Sequence, residues 1–72
     1  MGGMQTYKAV IKQDGDWWIG WIEEVPGVNC QERSRSELLE SLKLGLQEAI
    51  EINRAEALQM AGAGYEELPI AL

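Results

Sequence analysis

Asp14 to Gln31, DGDWWIGWIEEVPGVNCQ, contains all three Trp of the chain and two turn signals, Asp14-Gly15 and Pro26-Gly27. Asp-Gly between β-type runs marks a hairpin, and Pro followed by Gly suits the two central positions of a type II turn. The stretch therefore predicts a strand entered from one tight turn and left by another, the middle of a three-strand meander. Side chains alternate along a strand, so Trp17, Ile19 and Trp21 share one face while Trp18, Gly20 and Ile22 share the other. Both faces are apolar, whereas an antiparallel sheet in a small protein ordinarily keeps one face wet. The chain must supply cover for both faces or borrow it.

Upstream, Gln5 to Gln13 alternates Tyr7, Ala9 and Ile11 against Thr6, Lys8, Val10 and Lys12, the pattern of a half-buried strand. Downstream, Val28 to Arg33 reads as a short third strand with Val28 and Cys30 on one side. Ser34-Arg35-Ser36-Glu37 matches a capping box: Ser34 can accept from the Glu37 amide, and the Glu37 side chain can reach back to the Ser34 amide. A helix is thus expected from Arg35, with Leu38, Leu39, Leu42, Leu46, Ala49 and Ile50 forming one apolar stripe at three- and four-residue spacing. Gly20, on the same strand face as Trp18 and Ile22, would let a helix backbone approach where a side chain would hold it off. That places Trp17, Ile19 and Trp21 on the uncovered face; exchange of the two sets is the open alternative. Helical propensity continues to Met60, and Gly62 and Gly64 are natural stops. Asn53 with Glu56 repeats the capping pattern, which allows a break or bend there. Tyr65 to Leu72 alternates Leu68, Ile70 and Leu72, and Pro69 confines this expected fourth strand to an edge.

Seventy-two residues make a single small domain, read as spanning Met4 to Leu72, with residues 1–3 a disordered start or expression remnant. A chain of this size buries only about 60% of its unfolded surface, so a staple or a partner is expected. One Cys permits no internal disulfide, and without His there is no ordinary zinc set. Oligomerisation, to a dimer or tetramer, is what remains. Twelve acidic residues against six basic ones give a net charge of −6. That balance disfavours direct nucleic-acid binding and suits a basic protein partner. No apolar run approaches a membrane span and no leader precedes the domain, so a cytoplasmic location is expected.

The ordered set of Tyr7-Lys8-Ala9-Val10-Ile11, Asp14-Gly15-Asp16-Trp17-Trp18-Ile19-Gly20-Trp21-Ile22, Glu24-Val25-Pro26-Gly27-Val28, Gln31, the Ser34 cap and Leu38-Leu39-Glu40-Ser41-Leu42-Lys43 resembles the HicB family of antitoxins. The resemblance runs from about Gln5 to Leu72. It implies a partial ribonuclease-H-like fold, a small sheet with a helix on one face. It also implies a function: binding HicA, a small basic toxin that cleaves messenger RNA. Many members add a DNA-binding segment at the C-terminus. With the chain ending at Leu72 there is no room for one, so autoregulation through DNA is not expected of it. Glu23 stands where relatives often place Pro.

Other chemistries fit less well. Asp14 and Asp16 could belong to a carboxylate cluster holding metals, but Asp is favoured at such turns for its local backbone bonding. Glu23-Glu24 and Glu66-Glu67 could pair with cations on a toxin or simply be solvated charge at strand ends. Cys30 has no His to form a nucleophilic pair with and reads as a buried small thiol. Trp17, Ile19 and Trp21 could stack bases, yet the sequence places no Lys or Arg around them to hold phosphates. A protein interface explains them better, whether with a toxin or with a second copy. The expectation is an α+β domain, β-β-β-α-β, with a small mostly antiparallel sheet and one main helix on one face. It is expected to be a non-catalytic HicB-like antitoxin without metal or cofactor, with Trp17, Ile19, Trp21, Glu23 and Glu24 at the interface. Asp14, Gly15, Pro26, Gly27, Ser34 and Glu37 are read as structural. A stand-alone homo-oligomeric module binding another protein or a ligand is the alternative.

Overall fold

A computed structural model describes residues 6–71; the expected start at residues 1–3 and the strand ends at Gln5 and Leu72 lie outside the described residues. The elements are β1 (Ala9–Asp14), β2 (Trp17–Ile22), β3 (Asn29–Glu32) and α1 (Arg35–Ala61). The strands form an antiparallel meander in the order β1-β2-β3, a small α+β architecture with the one helix lying over β2 and β3.

The first turn lies one residue later than its Asp-Gly label suggests. Asp14 pairs with Trp17, so Gly15 and Asp16 are the two loop residues. Gly15 has φ +63° and Asp16 does not have positive φ. Glycine first and an ordinary residue second is the demand of a type II′ hairpin, whose twist matches that of the strands it joins. At the other end of β2, Gly27 takes φ +92°, as the third position of a type II turn requires. The Ile22 amide donates across this loop to the Val28 carbonyl at 3.1 Å. The loop turns both Val25 and Val28 inward, where each is buried. Val25 was not legible from alternation, because alternation ends where the turn begins.

Register settles the two faces. Ala9 lies opposite Ile22, Ile11 opposite Gly20 and Gln13 opposite Trp18, and Gly20 and Trp18 in turn lie opposite Cys30 and Glu32. This is the face that meets α1. Its core is Ile22, Val25, Val28, Leu38 and Leu42, with Tyr7, Ile11, Trp18, Cys30, Leu46 and Ala49 packed around it. Leu38 and Leu42 have almost no exposed surface, which for two leucines stabilises by about 1.5–3 kcal/mol each. The stripe is narrower than expected: Leu39 lies on its flank, 38% exposed.

The helix begins as the capping box predicts. The Glu37 amide donates to Ser34 Oγ at 3.2 Å. The Glu37 carboxylate, however, accepts from the Ser34 hydroxyl at 2.9 Å, not from the Ser34 amide as expected. Ser41 Oγ donates to Glu32 Oε2 at 2.6 Å, tying the helix to the edge strand β3. Two expectations are corrected. The helix runs unbroken through Asn53, because one Asn costs little among the helix formers Ala55 to Met60. It stops only where the Gly62 amide closes onto the Leu58 carbonyl. No fourth strand forms among the described residues: residues 65–71 are exposed and belong to no strand, since α1 carries them beyond the sheet it covers only with its first half.

An added Cβ at Gly20 would lie 2.9 Å from Ile11 Cγ2, 2.9 Å from the Val10 carbonyl oxygen and 3.1 Å from Leu42 Cδ1. The backbone oxygen cannot step aside. Gly20→Ala should therefore lower the urea midpoint, by about 1–3 kcal/mol of stability at unchanged m-value, and Gly20→Leu by more. An unchanged midpoint for both variants would show that the helix does not press on Gly20.

Candidate partner interface

The remaining sheet face is covered by no helix or strand among the described residues. Register aligns Val10 with Trp21, Lys12 with Ile19 and Asp14 with Trp17 on one side, then Trp21 with Asn29 and Ile19 with Gln31 on the other. Trp17, Ile19 and Val10 are half-buried by their neighbours, and Trp21 is 41% exposed. The result is a flat apolar strip along β2, flanked by polar side chains of both edge strands. Such a strip, with Trp21 exposed and Trp17 half-buried beside it, has the composition of a contact hot spot.

Its electrostatics differ from expectation. The Arg33 guanidinium lies 3.9 Å from the Trp17 ring centroid, a cation–π contact. Lys12 stands directly across from Ile19. Cations therefore do sit beside the Trp side chains, contrary to the sequence reading. Arg33 could have been found there, since it continues the parity of Asn29 and Gln31. The carboxylates expected at the interface are divided between roles. Glu23 is exposed just past β2, and its amide donates to the Lys8 carbonyl at 2.9 Å. Glu24 is committed within the fold, where its Oε1 accepts from the Lys8 amide at 2.9 Å and fastens the start of the first strand. Asp14 closes the hairpin end of the open face, and Asp16 is a loop residue beside it.

An open hollow on the opposite side is lined by Glu32, Ser36, Glu37, Glu40 and Ser41. Its polar groups are largely spoken for, since Glu32 is bonded to Ser41 and Glu37 to Ser34. Among the described residues no group of three or more His, Cys, Asp or Glu is arranged to hold a metal ion, and no helix is long and apolar enough to cross a membrane. The candidate site is an apolar surface on the central strand of a sheet whose other face is occupied by α1. No family model, curated protein or solved structure matches the chain.

Cys30 lies on the covered face opposite Gly20, half-buried. Burial, and after it the negative charge of Glu32, pushes its thiol above the ordinary range. Less thiolate at a given pH means slower attack on a disulfide reagent. At pH 8 the folded chain should react several-fold more slowly than the same chain in urea; equal rates would contradict this packing of β3.

Proposed function

We propose that this chain is a non-catalytic antitoxin domain of the HicB type, which binds a small basic messenger-RNA-cleaving toxin of the HicA type through the open face of its sheet. The observation that carries the reading is the strip of Trp17, Ile19 and Trp21, left bare by a helix that occupies only the other face. Rigid aromatic side chains on a central strand lose little entropy on binding and bury large area, which is what an anchor requires. The chain's net charge of −6 favours encounter with a basic partner. Glu23 and Asp14, at the two ends of the face, are the carboxylates placed to meet cations there. Lys12 and Arg33 demand acidic or acceptor groups opposite them, so the partner's contacting surface carries both signs. The likeness in sequence order to HicB antitoxins supplies the identity of the partner; a cytoplasmic site of action follows from that partner's substrate.

The test is to express the chain with the product of the adjacent small reading frame and weigh the purified species by light scattering. A mixed complex in which RNA cleavage is suppressed is expected. In that complex Trp21→Glu should weaken binding by about 30-fold or more, the loss of one hot spot of at least about 2 kcal/mol. Its circular dichroism should match the parent, because Trp21 does not belong to the helix-side core. A chain that ignores its neighbour would be a stand-alone binding module.

A further inference from the structure

The second half of α1 and the segment after it add nothing to the core cluster, and Leu58 is the one residue between Glu51 and Ala71 that is even half-buried. The last helix residue in contact with the core is Ala49. From there to Ala61 the helix rises about 18 Å. Along that overhang Ile52 is 53% and Met60 87% exposed. Past the Gly62 stop the chain has no regular secondary structure through residue 71, with Tyr65, Leu68 and Ile70 exposed at 48%, 73% and 86%. These are large apolar side chains in a row, on a molecule measuring 51 × 28 × 15 Å. Folding back onto its own sheet would use up about five or six extended residues merely to draw level with Ala49. Tyr65 would therefore fall short of it, and Leu68 would only just pass it.

A matching vacancy exists at the outer edge of β1. The Glu23 amide donates to the Lys8 carbonyl, so in alternation the backbone groups of Val10 and Lys12 point at β2. Those of Ala9, Ile11 and Gln13 then point outward, and among the described residues β1 has no neighbouring strand on that side. The helix lies over β2 and β3, which leaves Ala9 exposed beside the core. The edge also carries Lys8 and Lys12, whereas the segment carries Glu66 and Glu67.

We infer that Tyr65 to Ile70 of one copy adds as an edge strand to β1 of a second copy, and that the reciprocal exchange makes a symmetric dimer. Leu68 and Ile70 lie on the helix side, beside Ala9 and Ile11. Glu67, of opposite parity, lies on the open side with Lys8 and Lys12. Pro69, which has no N–H, then faces away from the ladder, as an outermost strand permits. A stable dimer of this kind also leaves Trp17, Ile19 and Trp21 free, so the inference goes beyond the proposed function and stands without it.

Light scattering with amide hydrogen exchange on the full chain tests it. The chain should have twice its monomer mass, with the Ile11 and Gln13 amides protected. Leu68→Asp/Ile70→Asp, at two exposed positions, should return the mass to that of a monomer and speed exchange at those two amides by at least tenfold, with the Gly20 amide still protected. A monomeric parent chain would overturn the inference. So would a double variant that stays dimeric, or protection of Ile11 and Gln13 in a monomer, which would mean that the segment folds back onto its own β1.

Discussion

Everything in this fold hangs on how closely α1 approaches Gly20. A sheet of three short strands cannot bury two apolar faces with one helix, so the chain must select one. The missing side chain at Gly20 makes the selection, because it opens a shallow depression between Trp18 and Ile22 into which Leu42 settles. Val28 meets the helix near Gly45, where an added carbon would make an ordinary van der Waals contact of 3.4 Å with Val28 Cγ1, so Gly20 alone is the glycine that the approach requires. The Val25 and Val28 side chains then close the end of the core. With the core complete on that side, no element among the described residues covers Trp17, Ile19 and Trp21, and only the Arg33 guanidinium lies over the Trp17 ring.

The bare face is therefore a consequence of the core and not an independent feature. A binding surface placed on the central strand inherits the rigidity of that strand, held on both sides by antiparallel pairing. The edges are looser, and they are where the chain spends its charged and polar groups: Lys12 and Asp14 on β1, Asn29 and Gln31 on β3. Lysines on an edge strand ordinarily discourage indiscriminate strand addition. Here the same lysines would select an acidic strand, and the chain carries one in Glu66 and Glu67.

What could be read from the sequence was whatever depends on near neighbours. Alternation sorted β2 into its faces, Gly20 indicated which one the helix covers, and Ser34 with Glu37 located the first turn of α1. Three features escaped for definite reasons. Val25 enters the core through a turn, where the period of two no longer applies. The helix passes Asn53 because the propensity cost of one residue is smaller than the loss of a continuous hydrogen-bond ladder. The segment from Tyr65 has strand character without a strand partner, and pairing is a property of two segments that one segment's pattern cannot supply. Arg33 over Trp17 lies between these cases: parity along β3 extends to it, but the ring contact depends on the twist of two strands.

Which face of β2 the helix covers decides what the rest of the sheet can do, and a nuclear Overhauser map of the Gly20 α-protons and the Trp rings measures it directly. Gly20 should show cross-peaks to the Leu42 methyl groups, and the Trp18 ring to core residues, while the Trp17 and Trp21 rings show none to any methyl group of α1. Cross-peaks from the Trp21 ring to Leu38 or Leu42 would mean that the faces are exchanged, and the surface assigned here to a partner would be the core.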